Sequence, residues 1–292
     1  MEPWLVYAML GTLFGGVNAV LQKVGVKEVN SHLATAVRTV VIVIFSWIVV
    51  FSLGSHVELA DVDGRTWIFL IASGLSTGAS WLCYLYALKF GTVSNVTPLK
   101  KSSTVLTIIL AFLILREPFG LPQLAGILFI TAGTVFMLKK KDGSKGKDEG
   151  GGNWLLFGVL AAFFASLRTI FGAIGIADVD ANLGNAIRVL VVLIASWSIV
   201  FYTGNQKGIK DISKKGLLFL TLSGLATGAN WLFFFRALQT GPVSVIVPID
   251  KLSVIFSILF AFVLLKEKQS MKRLAGLACL VVGTLVLVVL GT

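Results

Sequence analysis

A chain of 292 residues that is 56% hydrophobic and 13% charged, with a mean hydropathy of +0.91, cannot cover itself in polar groups. A soluble domain carries about 25% charged residues, so composition excludes a water-soluble protein and makes lipid the main solvent of this one. The formal charge of +11 would suggest nucleic acid in a soluble protein, but once the charges are divided by depth, as below, that suggestion falls away.

Crossing a bilayer core takes about 20 mainly apolar residues. Ten such windows are expected, at 3–24, 33–53, 66–88, 92–115, 120–138, 153–173, 183–203, 215–238, 243–265 and 271–290. The opening Met1-Glu2-Pro3-Trp4 has no basic n-region and no small-residue cleavage site, so it reads as the start of the first span and not as a removable signal. Cys83 and Cys279 lie inside apolar runs without metal-ligand spacing and read as small core residues. Turn formers such as Gly54, Gly91, Gly120, Gly204 and Gly241-Pro242 separate several windows. One hydrophilic stretch, 139–152, is rich in Lys, Gly and Asp and reads as a flexible linker. It divides the chain into 1–138 and 153–292, each with five windows.

The halves are copies. An ungapped shift of 150 residues lays Ser73–Glu117 on Ser223–Glu267 with 21 of 45 positions identical. The matches include Gly74/Gly224, Trp81/Trp231, Pro98/Pro248, Lys101/Lys251, Ser103/Ser253 and Glu117/Glu267, and upstream Arg38/Arg188 keeps the same offset. A repeat of that quality sets the architecture. An odd number of spans per copy sends the second copy in from the opposite face, so the expected fold is all-α, ten transmembrane helices arranged as two inverted five-helix repeats.

Basic residues give the orientation. Lys27, Lys89, the linker lysines, Lys207, Lys210, Lys214, Lys215, Lys266, Lys268, Lys272 and Arg273 fall on one face, and only Arg65 and Arg116 on the other. Positive charge marks the cytoplasmic side. The linker 139–152 is then cytoplasmic, and both termini are outside.

Eight basic residues remain within apolar runs: Lys23, Arg38, Lys100, Lys101, Arg168, Arg188, Arg236 and Lys251. One embedded acid, Asp250, stands against them. Each such charge costs about 2.5–3.5 kcal/mol at a helix centre on insertion scales. Lys23 and Arg236 are near span ends and can snorkel to the headgroups; the rest need a wet cavity whose natural guest is an anion or the acidic end of a zwitterion. The segments Pro98-Leu99-Lys100-Lys101 and Pro248-Ile249-Asp250-Lys251 form the core of this candidate site. Each follows a proline that leaves a carbonyl one turn back without its donor. Lys100 and Asp250 are mates of opposite sign and can pair, which would leave Lys101 and Lys251 for the ligand. Alternatively, all four serve the carbonyls that the prolines free. Arg38 and Arg188, Asn18 and Arg168, Trp81 and Trp231 with Asn230, and Ser103 and Ser253 complete the candidate lining, with helix packing as the competing role for the arginines and tryptophans.

With the repeat, the proline-lysine segments and the Leu-x-Glu helix ends at Glu117 and Glu267 in hand, the chain resembles the drug/metabolite transporter superfamily, in particular bacterial carriers made of two EamA modules. The resemblance implies ten helices working by alternating access, a cavity lined by helices 1–4 and 6–9, and helices 5 and 10 at the periphery as a homodimer contact. Relatives that carry phosphorylated substrates hold their anion on helices 4 and 9, where Lys101 and Lys251 stand here. Two departures count: relatives commonly keep both termini in the cytoplasm, and the small multidrug branch has an acid in helix 1, where this chain has Asn18 and Arg168. The expected function is a secondary transporter of a small organic anion or zwitterion in the inner membrane, without cofactor, metal or nucleic-acid partner. The alternatives are an exporter of cationic or neutral metabolites and a non-transporting subunit that binds a phosphorylated lipid. An intramembrane enzyme lacks paired embedded carboxylates, an embedded histidine or a nucleophile-base spacing.

Overall fold

A computed structural model describes residues 2–25, 29–90, 96, 102–137, 153–256 and 271–290. Helices carry these residues: α1 (Pro3–Gly25), α2 (Ser31–Leu53), α3 (Gly64–Phe90), α4 (Ser103–Leu115), α5 (Leu121–Met137), α6 (Trp154–Gly175), α7 (Ala181–Tyr202), α8 (Lys214–Thr240), α9 (Val243–Lys251) and α10 (Met271–Leu290). Short 3₁₀ turns follow α2 and α7 at Ser55–Ala60 and Asn205–Asp211, and no strand occurs among the described residues. Helix is what lipid demands, because every backbone N–H must find its acceptor within the segment. Among the described residues six helices, α1, α2, α3, α6, α7 and α8, are long and apolar enough to cross a membrane. Their outward faces are apolar too: Ile44, Ile48 and Phe51 of α2 are exposed while Leu33, Ala34, Ile42 and Val50 are buried.

The 150-residue offset reappears as local geometry. Asn30 caps α2 by accepting the N–H of His32 at 2.9 Å, and its mate Asp180 caps α7 by accepting those of Asn182 at 3.0 Å and Leu183 at 3.3 Å. Each helix ends on a left-handed glycine or one residue before it, Gly54 at φ 76° and Gly204 at φ 70°. The last turns repeat as well: Trp47 lies against Phe51 and Trp197 against Phe201, both at 5.8 Å between ring centroids.

The chain divides into two compact units, unit one with Met1–Leu75, Phe171–Gly241 and Ile249–Glu267, and unit two with Ser76–Ile170, Pro242–Pro248 and Lys268–Thr292. In unit one α1 runs along α8, and α2 packs on α7 and α8. Two contacts in this unit are reciprocal. A Cβ at Gly74 would stand 2.5 Å from Val191 Cβ and 3.0 Å from the Arg188 carbonyl; one at its mate Gly224 would stand 2.8 Å from Val41 Cβ and 3.1 Å from the Arg38 carbonyl. Only glycine lets the helices approach that closely. In unit two α5 packs on α10, again reciprocally: a Cβ at Gly133 would meet the Gly276 carbonyl at 2.6 Å, and one at Gly283 the Gly126 carbonyl at 3.0 Å. The glycine faces of α5 and α10 thus meet each other within the chain, leaving Leu128, Val135, Leu285 and Val289 exposed.

Candidate functional site

Helix α8 organises the polar interior of unit one. Ser223, Thr227, Asn230, Trp231 and Phe235 recur at three- and four-residue intervals, so they share one stripe of the helix. Each meets a residue that the sequence marks out. Arg38 Nη2 on α2 donates to Thr227 Oγ1 at 2.7 Å and to Asn18 Oδ1 on α1 at 3.1 Å, and the Ser223 hydroxyl donates to the same Asn18 oxygen at 2.7 Å. Arg38 is 7% exposed, so its charge is held by neutral oxygens and not by water. Bonds from a charged donor are the stronger kind, which offsets part of the desolvation cost.

One turn further along α8, the guanidinium of Arg188 lies 4.7 Å from the ring centre of Trp231 and 4.5 Å from that of Phe235. Arg188 is 1% exposed. Cation–π contacts shielded from water reach about 2 kcal/mol each, so here the aromatic faces take over from solvent. Asn230, between these two arginine sites on the stripe, donates from Nδ2 to the Gly11 carbonyl at 2.7 Å and to Asp250 Oδ1 at 3.3 Å. Asp250 Oδ2 in turn accepts from Lys251 Nζ at 3.0 Å, with side chains 24% and 37% exposed. This is a partly exposed charge pair beside the stripe.

The segment that carries Asp250 is broken at its proline. Pro248 sits inside α9 and has no N–H to give back to the preceding turn. Just after it the Ile249 carbonyl accepts both the Leu252 N–H at 2.9 Å and the Thr12 hydroxyl of α1 at 3.0 Å. Sequence reasoning missed Thr12, Ser223, Thr227 and Phe235. The identity of Ser73 with Ser223 and of Thr77 with Thr227 in the repeat was the available signal.

Unit two holds Ser103, Arg168 and Trp81. The Ser103 carbonyl accepts the Ser166 hydroxyl at 3.0 Å, and the Ser80 hydroxyl donates to the Ala161 carbonyl at 2.7 Å. That second bond is the repeat mate of Asn230 to Gly11, position for position. Arg168 and Trp81 are half-buried. At the end of α4 the backbone of Arg116 takes φ 57°, the one positive φ outside glycine among the described residues. The next residue, Glu117, accepts the N–H groups of Val243 at 2.6 Å and Ser244 at 2.9 Å and so caps α9, whose own Gly241-Pro242 start offers no side-chain oxygen. Lys100 and Lys101, and with them the expected Lys100–Asp250 pair, lie outside the described residues. Ser253 lies against α1, where a Cβ at Gly15 would be 3.1 Å from its own Cβ. Arg236, expected to snorkel, instead pairs through Nη1 with Asp180 Oδ2 at 3.0 Å.

Comparison with known proteins places this architecture. The EamA-like transporter family matches residues 2–139 and again 152–289. A Sinorhizobium sp. protein described as an uncharacterized transporter in the cobO 3' region is 42% identical over 136 residues, 47% of this chain and 96% of that protein. An uncharacterized transporter of Methanothermobacter thermautotrophicus is 27% identical over 226 residues, 73% of this chain and 62% of that protein. A Methanocaldococcus jannaschii protein is 27% identical over 137 residues, 47% of this chain and 97% of its own length. One solved crystal structure superposes at a TM-score of 0.73 with 16% identity, over 98% of this chain and 96% of that one, and so shares the fold. With the family matching both halves, the chain belongs to the EamA-like transporters of the drug/metabolite transporter superfamily: it is a multi-pass membrane transporter with two EamA modules, and not an enzyme.

Proposed function

We propose that the protein is a secondary carrier moving a small organic anion or zwitterion across the inner membrane by alternating access, with ten spans in two oppositely oriented modules. One observation carries this reading. Arg38, Arg188 and Lys251, contributed by both modules, gather along the α8 stripe with Asp250 as their one carboxylate there among the described residues. Surplus cationic charge in an apolar interior favours an acidic guest. The half-exposed Asp250–Lys251 pair favours the zwitterionic form of that guest, which would exchange one internal ion pair for two.

The opposite entry of the two modules also has support inside unit one. The connections after α2 and α6, both expected outside, meet where the Asp180 N–H donates to Glu58 Oε2 at 2.9 Å. The excess of basic residues on the opposite side is the ground for placing the linker 139–152 in the cytoplasm and both termini outside. Ser253, packed against α1 within unit one, completes the proposed lining of that unit.

The test is uptake of a panel of labelled acidic, zwitterionic, neutral and cationic metabolites into proteoliposomes, with Lys251→Gln and Lys101→Gln beside the unmodified protein. Acidic or zwitterionic substrates should be carried, and each variant should lose at least tenfold. Undiminished flux in both variants, or carriage confined to cations and neutral compounds, would sink the anion reading.

A further inference from the structure

Both ends of unit one are packed with apolar side chains, since Leu183, Ala186 and Val50 at one end are the buried repeat mates of Leu33, Ala36 and Val200 at the other, and one end carries a charged tie as well. At one end, formed by the start of α2, the end of α7 and the approach to α8, the closure is apolar: Leu33, Ala36 and Val200 cluster with Val29, Val37, Trp197 and Ile212. At the other end, the C-terminal end of α8 is also tied by charge. Arg236 Nη1 donates to Asp180 Oδ2 and to Gln239 Oε1, both at 3.0 Å. Gln239 Nε2 donates to the carbonyls of Ile176 at 2.9 Å and Val179 at 2.7 Å. The Asp180 N–H reaches Glu58 in the 3₁₀ turn after α2. The 150-residue offset turns Asp180, Arg236, Gln239 and Glu58 into Asn30, Tyr86, Lys89 and Gly208, which hold no acid to pair with a base. Chain duplication therefore did not carry the Asp180–Arg236 pair to the equivalent positions at the other end.

We propose that Asp180 and Arg236 form an ionic latch that holds this end of unit one shut and opens once in each transport cycle. The pair suits that use. It is partly wet, with side chains 16% and 38% exposed, so it can trade its partner for water at small cost. The apolar side chains at either end have no such exchange available, so the ion pair is what gives this end a bond that water can replace. Asp180 also anchors α7 through its other oxygen, which keeps the helix start in place when Arg236 lets go. The latch rests on the alternating-access reading above.

The experiment needs no known substrate. In a Cys83→Ser, Cys279→Ser background, Asn230→Cys on α8 reports entry of a membrane-impermeant cationic methanethiosulfonate reagent added to either side of proteoliposomes, with Ser253→Cys as a second reporter. Asp180→Asn keeps a capping oxygen and loses the charge; Arg236→Gln loses the other charge, and Arg236→Lys keeps it. Asp180→Asn and Arg236→Gln should each speed labelling from the latched end about fivefold, the weight of one half-exposed ion pair. The double variant should be no faster than either single one, because both remove the same bond. Arg236→Lys should stay close to the reference. Unchanged rates in variants that melt normally would overturn the latch, as would equal acceleration from both ends together with a lowered melting point. A reporter reached from one end only in the reference protein removes alternating access, and the latch then stands or falls on whether its variants admit reagent at its own end.

Discussion

Arg38 and Arg188 hold the same place in the two modules, and the residues around them differ. Arg38 sits among oxygens, bonded to Asn18 and Thr227, whereas Arg188 sits between the rings of Trp231 and Phe235. The backbone around them has not diverged: Gly224 meets the carbonyl of Arg38 as Gly74 meets that of Arg188. What changed is the side chains that receive each charge. Phe235 replaces Leu85, and Asn18 has become Arg168. A duplicated scaffold therefore conserves where a buried cation sits while the side chains around it change, Phe235 adding a ring face where the first module has Leu85.

That comparison can be broken or sharpened by substitution. Gly74→Leu and Gly224→Leu should both be severe, each costing about 3 kcal/mol or more because a side chain would meet Val191 or Val41 and a backbone carbonyl. Melting in detergent should show the two equal within about 1 kcal/mol; a tolerated leucine at one of them would mean that the helix contacts are not equivalent. The arginines should then separate. Arg38→Met should cost about 1–3 kcal/mol, since it strips a partner from the buried oxygens of Asn18 and Thr227. Arg188→Met should cost more, about 2–4 kcal/mol, because it gives up the contacts with both rings along with the charge. Both should lose uptake of an acidic substrate. Equal losses of stability would erase the distinction drawn between the two sites. Asn18→Asp comes next: a carboxylate facing Arg38 should raise stability by about 1 kcal/mol while cutting acidic uptake about tenfold, a split that melting and flux measured together will reveal. The smallest effect belongs to the helix caps. Asn30→Ala should cost about 0.5–1 kcal/mol, and Asp180→Ala should cost more, since Asp180 holds Arg236 as well as α7.

Much of this was legible in the sequence, because apolar windows, a fixed offset and a few embedded charges are one-dimensional signals. Arg38, Arg188, Asp250, Lys251 and Asn230 stood out by polarity in apolar runs, and the structure gathers them along α8. Thr227, Ser223 and Phe235 did not stand out: a hydroxyl or a ring inside a membrane helix costs little, so its presence carries no alarm, and only the partner across the helix gives it meaning. Arg236 was visible, but its position near a span end suggested headgroups. Its true partner, Asp180, is 56 residues away and was hidden in a connection that sequence alone leaves unplaced. Glu117 was conspicuous as a repeated helix end, yet that it caps α9 follows only from the left-handed turn at Arg116 that aims it.

The glycine contact between α5 and α10 reaches beyond this chain. Position 133 meets 276, the equivalent of 126, and 283, the equivalent of 133, meets 126. A surface that gives and receives the same contact is isologous, so one module already carries on a single helix face what it needs to bind its twin. Proteins of one-module length, such as the Sinorhizobium relative matched over 96% of its span, are the natural place to look for that pairing between separate polypeptides. Fusing two such modules frees each to mutate without altering its partner, which is how one buried guanidinium could gain the ring of Phe235 where the other module has Leu85.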